Sequence, residues 1–145
     1  SFLCIINSMH MKSLYQDYPN IHVVNLEKLS PMSWHDDQRW FWRDLPQIQD
    51  NGLWYPLLYY KVTPGWWNNK FASWKSAYPS WDKINPPVIN EDGNIWALKM
   101  GTNRLTALKF LGYNTCDTIC FKTANDLIKV GVYFREEDPL HNELL

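Results

Sequence analysis

GNIWALKMGTNRLTALKFLG, residues 93–112, joins a strand to a helix through a polar turn led by glycine. Ile95 to Lys99 has the length and apolar content of a short strand, and Gly101 interrupts it. From Arg104 onward Leu105, Leu108 and Leu111, with Ala107 between them, recur at helical spacing until Gly112 supplies a stop. The first N–H groups of such a helix have no intrahelical acceptor, and the helix dipole makes that end positive. With Arg104 beside them, these groups can converge on one anion, and Gly101 lets it approach the backbone. Phosphate is the anion this arrangement suits, so Gly101, Thr102, Asn103 and Arg104 form the candidate binding turn.

Working outward, Val88-Ile89 and Ile95 to Lys99 flank Asn90-Glu91-Asp92-Gly93-Asn94, whose Asp-Gly pair signals a hairpin. Ile21 to Asn25, IHVVN, is rich in β-branched residues and reads as the first core strand. Leu57 to Val62, LLYYKV, shows too little polar alternation for a half-exposed strand and is expected at the centre of the sheet. Asp117 to Lys122 reads as a closing strand and Thr123 to Val130 as a helix. Ser8 to Asp17 suggests a short helix ended by Pro19. Asp44 is placed to cap another helix, with Pro46 in its first turn and Asn51-Gly52 at its end.

Strands and short helices in this order predict one α+β domain, a small mixed sheet flanked by short helices. Its expected bounds are residues 21–134, preceded by an extension (1–20) and followed by a polar tail (135–145). Thr63 to Pro87 interrupts the domain as a long aromatic loop. Most of its Trp residues are expected to cover one face of the sheet. Trp66 and Trp67, beside Pro64-Gly65, are the pair expected to stay exposed, to stack on a base or dock a protein partner.

The bulk numbers exclude several classes. A chain that is 46% hydrophobic and 20% charged folds rather than remaining disordered. Its net charge of -1 offers no global field to draw it onto nucleic acid. No apolar run reaches the roughly 20 residues that span a bilayer, so no membrane association is expected. Cys4, Cys116 and Cys120 are odd in number, which suits free thiols in a reducing compartment such as the cytoplasm. The four His are scattered, so no metal site from Cys and His is expected. Acids favour helix starts, which explains Asp36 and Asp37; with His35 and Asp92 they are also the candidates for a catalytic base.

Three of these pieces in this order resemble the ParB/sulfiredoxin superfamily, in particular its ParB-like N-terminal domain. IHVVNLEKLSP looks like that family's opening segment. LPQIQDNGLWYPLLYY is similar to its helix–turn–strand box, where Gly52 and Pro56 match, and DGNIWALKMGTNRLTALKFLGYNTCDTI resembles its hairpin, G-x-x-R turn, helix and strand. The resemblance covers residues 21–122 and implies that Gly101 to Arg104 hold the phosphate of a nucleotide (ATP or CTP) or of a nucleic acid, with Mg²⁺ bound through the phosphates. It also implies NTP hydrolysis, phosphotransfer or nuclease activity, with Arg104 neutralising the phosphate. The departures narrow that list. Sulfiredoxins carry a reactive Cys in this turn, where Thr102 and Asn103 stand here. The family's free-serine kinases place an Asp and a Glu where this chain has Met100 and Met32. The stretch after Lys122 is too short for the helix-turn-helix domain of chromosome-partition members. A stand-alone binding domain, of the kind a phage or mobile element carries, is the expected form.

Overall fold

The computed structural model describes residues 9–18, 20–32, 39–77, 86–122, 126 and 130–131. Six strands form one mixed sheet: β1 (His10–Met11), β2 (His22–Asn25), β3 (Leu29–Pro31), β4 (Leu57–Val62), β5 (Ile95–Met100) and β6 (Thr115–Cys120). Among the described residues the helices are α1 (Arg39–Asn51), α2 (Pro64–Lys70), α3 (Ala72–Ala77) and α4 (Thr102–Phe110), with a 3-10 turn at Leu26–Lys28. The expected fold class, α+β with a mixed sheet and short helices, is the one observed.

β4 lies between β5, to which it is antiparallel, and β6, to which it is parallel, and its Leu57, Leu58, Tyr59, Tyr60 and Val62 are all buried. The run, apolar but for Lys61, therefore does mark a central strand, covered on both faces. Alternation along β4 and β5 divides the interior in two. Leu57, Tyr59 and Leu98 join Ile48, Leu105 and Leu108 beneath α1 and α4, whereas Tyr60, Val62, Ile95 and Ala97 pack with Trp67, Phe71 and Phe121. β6 has three partners. It pairs antiparallel with β2 over Thr115–Thr118 and parallel with β1 at Thr115 and Cys116, while β4 takes Thr118 to Cys120. A strand has two edges, so β1 and β4 share one of them and β2 holds the other.

Several expectations need correction. Where a helix is expected over Ser8 to Asp17, the described part from Met9 on is not helical: His10–Met11 pairs with β6, and Ser13 bridges Leu53. The open edge of β6 and the burial of Met11 outweigh a weak local preference, and the segment set apart as an extension thus contributes to the sheet. Asp44 caps nothing, because α1 starts at Arg39 and holds Pro46 in its interior. Pro46 is exposed there, so the carbonyl it leaves without an N–H can turn to water. The aromatic stretch after Thr63 is not a loop over its first half but two helices. Thr63 Oγ1 accepts from the Trp66 N–H at 3.1 Å with Pro64 in the first turn, a start signal that the surrounding Pro and Gly obscure. The closing strand starts two residues early, at Thr115. The hairpin turn forms as read, Gly93 N–H donating to Asn90 O at 2.8 Å, but its first arm is a single bridge at Ile89. His35, Asp36, Asp37 and Trp81 lie outside the described residues, as do Thr123 to Val130 except Asp126 and Val130, and the tail after Gly131.

Candidate phosphate site

β5 delivers the chain to Gly101 at φ 108°, ψ 25°, and α4 starts at once with Thr102, its first bond running from Leu105 N–H to Gly101 O at 2.7 Å. No side chain caps this end. The N–H groups of Asn103 and Arg104, in the first turn, find no acceptor within the helix. A Cβ at residue 101 would stand 2.6 Å from Leu57 Cδ2, 3.3 Å from Arg104 Nη2 and 3.4 Å from Arg104 Nε. Glycine is thus required twice, for the positive φ and for room. The same distances show the guanidinium folded back over the start of its own helix.

Arg104 is partly buried, and no hydrogen bond or ion pair joins its guanidinium to any of the described residues. Burial lowers its pKa; Asp44, and after it Cys116, act in the opposite direction. The Asp44 carboxylate is engaged by Arg43 at 3.1 Å instead. A cation therefore sits where the helix dipole opposes it, and among the described residues no carboxylate is hydrogen-bonded or salt-bridged to it.

Arg104 lines a cleft of about 400 Å³ with Tyr18, Tyr55, Pro56, Leu58, Val130 and Gly131. Tyr18 and Tyr55 arrive from segments far apart in sequence. Leu14 N–H donates to Leu53 O at 2.8 Å and Tyr15 N–H to Trp54 O at 3.0 Å, which fixes residues 13–15 alongside residues 53–54. The anchor beneath them is Asp117, which is buried. Its carboxylate accepts from Ser13 N–H at 2.8 Å and Gln16 Nε2 at 3.0 Å, and lies 3.1 Å from His10 Nε2. Burial pushes its pKa up, but the bonds from Gln16, Ser13 and His10 prevail and hold it below the usual carboxylate value. Burial also raises Tyr18, helped by Tyr55 and Tyr15.

The structure thus places Arg104 at a cleft and leaves Gly101 as its backing. Trp67 is corrected: it is 0% exposed, packed on Phe71, and cannot stack on a ligand. Trp66 is half-buried against the same cluster. As N3 and N4 of a helix with one face on the sheet, the two cannot both reach solvent. The aromatic wall near Arg104 consists of Tyr18 and Tyr55 rather than of the expected Trp66 and Trp67. Each precedes a proline, Tyr18-Pro19 and Tyr55-Pro56, a spacing that favours extended backbone and was the one signal available. Cys116 is pushed up to about 12, by burial and then by Asp117, and burial also raises Cys120, so neither is a ready thiolate. Among the described residues no three His, Cys, Asp or Glu side chains form a metal-binding group, and no helix is long and apolar enough to cross a membrane.

No family model matches the chain, and no curated protein does. Among solved structures, a mutant free serine kinase in complex with AMP is similar at 17% identity with a TM-score of 0.48. The alignment covers 79% of this chain and 37% of the kinase, so this chain spans well under half that protein's length. Likeness of this degree assigns no residue a role.

Proposed function

We propose that this chain is a ParB-like domain that binds the phosphate of a nucleotide or nucleic acid at Gly101–Arg104. The observation that carries the reading is the Arg104 guanidinium: partly buried, lining a cleft, folded over a helix start and with no hydrogen-bonded or salt-bridged partner among the described residues. An unanswered cation in such a place is costly unless a ligand supplies the anion. A phosphate there accepts from the guanidinium in a bidentate pair and from the Asn103 and Arg104 N–H groups, with Thr102 and Asn103 side chains alongside. ATP or CTP are the proposed nucleotides, with Mg²⁺ held chiefly by their phosphates. Hydrolysis, phosphotransfer or nuclease chemistry needs a base in addition. Tyr18 and Tyr55 are the titratable lining groups besides Arg104 among the described residues, and neutral phenols are poor bases. His35, Asp36 and Asp37 remain the proposed source of one.

Thermal unfolding with ATP, CTP, GTP, ADP and inorganic phosphate, each with and without Mg²⁺, tests the reading. A ligand at a hundred times its Kd adds about 2.7 kcal/mol of stability. The shift is expected with the wild-type chain and absent in Arg104→Ala. No shift with any of these ligands, or an equal shift in the variant, refutes it.

A further inference from the structure

Beside the cleft the chain keeps an unusual set of rings in water. Trp54 is 59% exposed, Tyr55 46% and Tyr15 40%. Ring centroids lie 5.0 Å apart for Tyr15 and Tyr18, 6.1 Å for Tyr18 and Tyr55, and 6.3 Å for Tyr55 and Trp54. All these pairs are edge-on or tilted, unlike the stacked pair Tyr59–Trp96. None of these pairs is stacked face to face, so no two of the ring faces cover each other. The backbone beneath is held by Leu14, Tyr15 and Ser13 to residues 53–54 and by Asp117 to Ser13 and Gln16, so the rings are presented on a fixed base. A contiguous exposed apolar surface of this kind marks an interaction site. Here Tyr18 and Tyr55 line the cleft that Arg104 also lines, and Tyr15 and Trp54 adjoin them outside that lining.

We propose that these rings are a stacking platform for single-stranded nucleic acid. One phosphate of the strand meets Arg104, its first base packs against Tyr18 and Tyr55, and the next stacks on Trp54. The inference rests on phosphate binding at Gly101–Arg104 and adds the class of ligand. Charge complementarity selects the occupant: an apolar peptide or a second copy of this chain would leave Arg104 unanswered, whereas a strand supplies an anion and π-faces together. It also fits a net charge of -1, because affinity comes from stacking and one phosphate rather than a basic stripe.

The test compares inorganic phosphate, deoxyadenosine 5′-monophosphate and the 5′-phosphorylated deoxyadenosine dinucleotide by calorimetric titration. The dinucleotide is expected to bind about 5- to 150-fold tighter than the mononucleotide, the gain of one stacked base. Trp54→Ala is expected to erase that gain and leave the mononucleotide unchanged; its exposure keeps the core out of the comparison. Tyr55→Ala is expected to weaken both nucleotides and spare inorganic phosphate, and Trp54→Tyr to retain most of the gain. The salt slope of dinucleotide binding is expected near that of a single phosphate, about -0.7. Equal affinity for mononucleotide and dinucleotide, or an unaltered dinucleotide affinity in Trp54→Ala, overturns the platform and leaves phosphate binding standing. Failure of all three ligands to bind overturns both.

Discussion

Replacing Gly101 by alanine tests the geometry on which the site depends. The new Cβ meets Leu57 Cδ2 at 2.6 Å, closer than real Cβ contacts, and crowds Arg104 Nη2 at 3.3 Å. At φ 108° an L-residue also carries backbone strain of about 1–2 kcal/mol. Overpacking against Leu57, which is fully buried and cannot simply swing away, adds about 1–3 kcal/mol. The sum is about 2–5 kcal/mol, a fall in Tm of roughly 5–15 °C for a chain of this size. Gly93→Ala is the matched control: its φ is 79°, yet nothing lies within 4 Å of the added Cβ, so strain alone applies. Urea unfolding of both variants with unchanged m-values then isolates the packing difference. Gly101→Ala is also expected to displace the guanidinium and weaken phosphate binding, whereas Gly93→Ala leaves it intact. If the two variants lose equal stability and bind phosphate equally well, the close approach of Gly101, Leu57 and Arg104 is refuted.

Arg104→Met keeps the apolar stem and removes a charge that the helix dipole opposes. Stability without ligand is expected to hold or rise by about 0.3–1 kcal/mol, and a loss above about 1 kcal/mol in urea would show that the guanidinium serves the fold. Asp117 has a folded-state pKa below its ordinary 3.8, so its contribution is complete above that value and disappears as pH falls through the lower folded one. Urea midpoints taken from pH 6 down to pH 3 are expected to drop at the acid end, and Asp117→Asn to flatten that drop after an initial loss of about 1–3 kcal/mol; an unchanged profile in the variant would contradict the anchor. Trp67→Ala is expected to cost about 3–5 kcal/mol and Trp66→Ala distinctly less, measured the same way. Comparable losses would mean that the two side chains are equally buried.

Local signals carried far in this chain. The strand before Gly101, the helix after it and the stop at Gly112 are all where the apolar spacing put them, because each is set by neighbours within a few residues. The same holds for the end of α1, where Gly52 N–H donates to Ile48 O at 2.9 Å. Where neighbours disagreed, the reading failed: Pro64, Gly65 and the crowded Trp residues suggested a loop, although Thr63 was already a helix cap. Trp67 looked exposed because hydrophobicity says that a ring prefers to be buried but not which of two adjacent rings faces the sheet.

By itself, then, the sequence determined the strand–turn–helix unit, the central β4 and an arginine placed against a helix dipole, since these follow from spacing and chain stereochemistry. Only the tertiary structure decided what surrounds that arginine. The parallel alignment of residues 13–15 with 53–54, anchored by Asp117, brings Tyr18 and Tyr55 to the cleft, with Tyr15 and Trp54 beside them, from segments far apart in sequence. Such a contact depends on closing long loops around a shared core, and no periodicity within either segment encodes it.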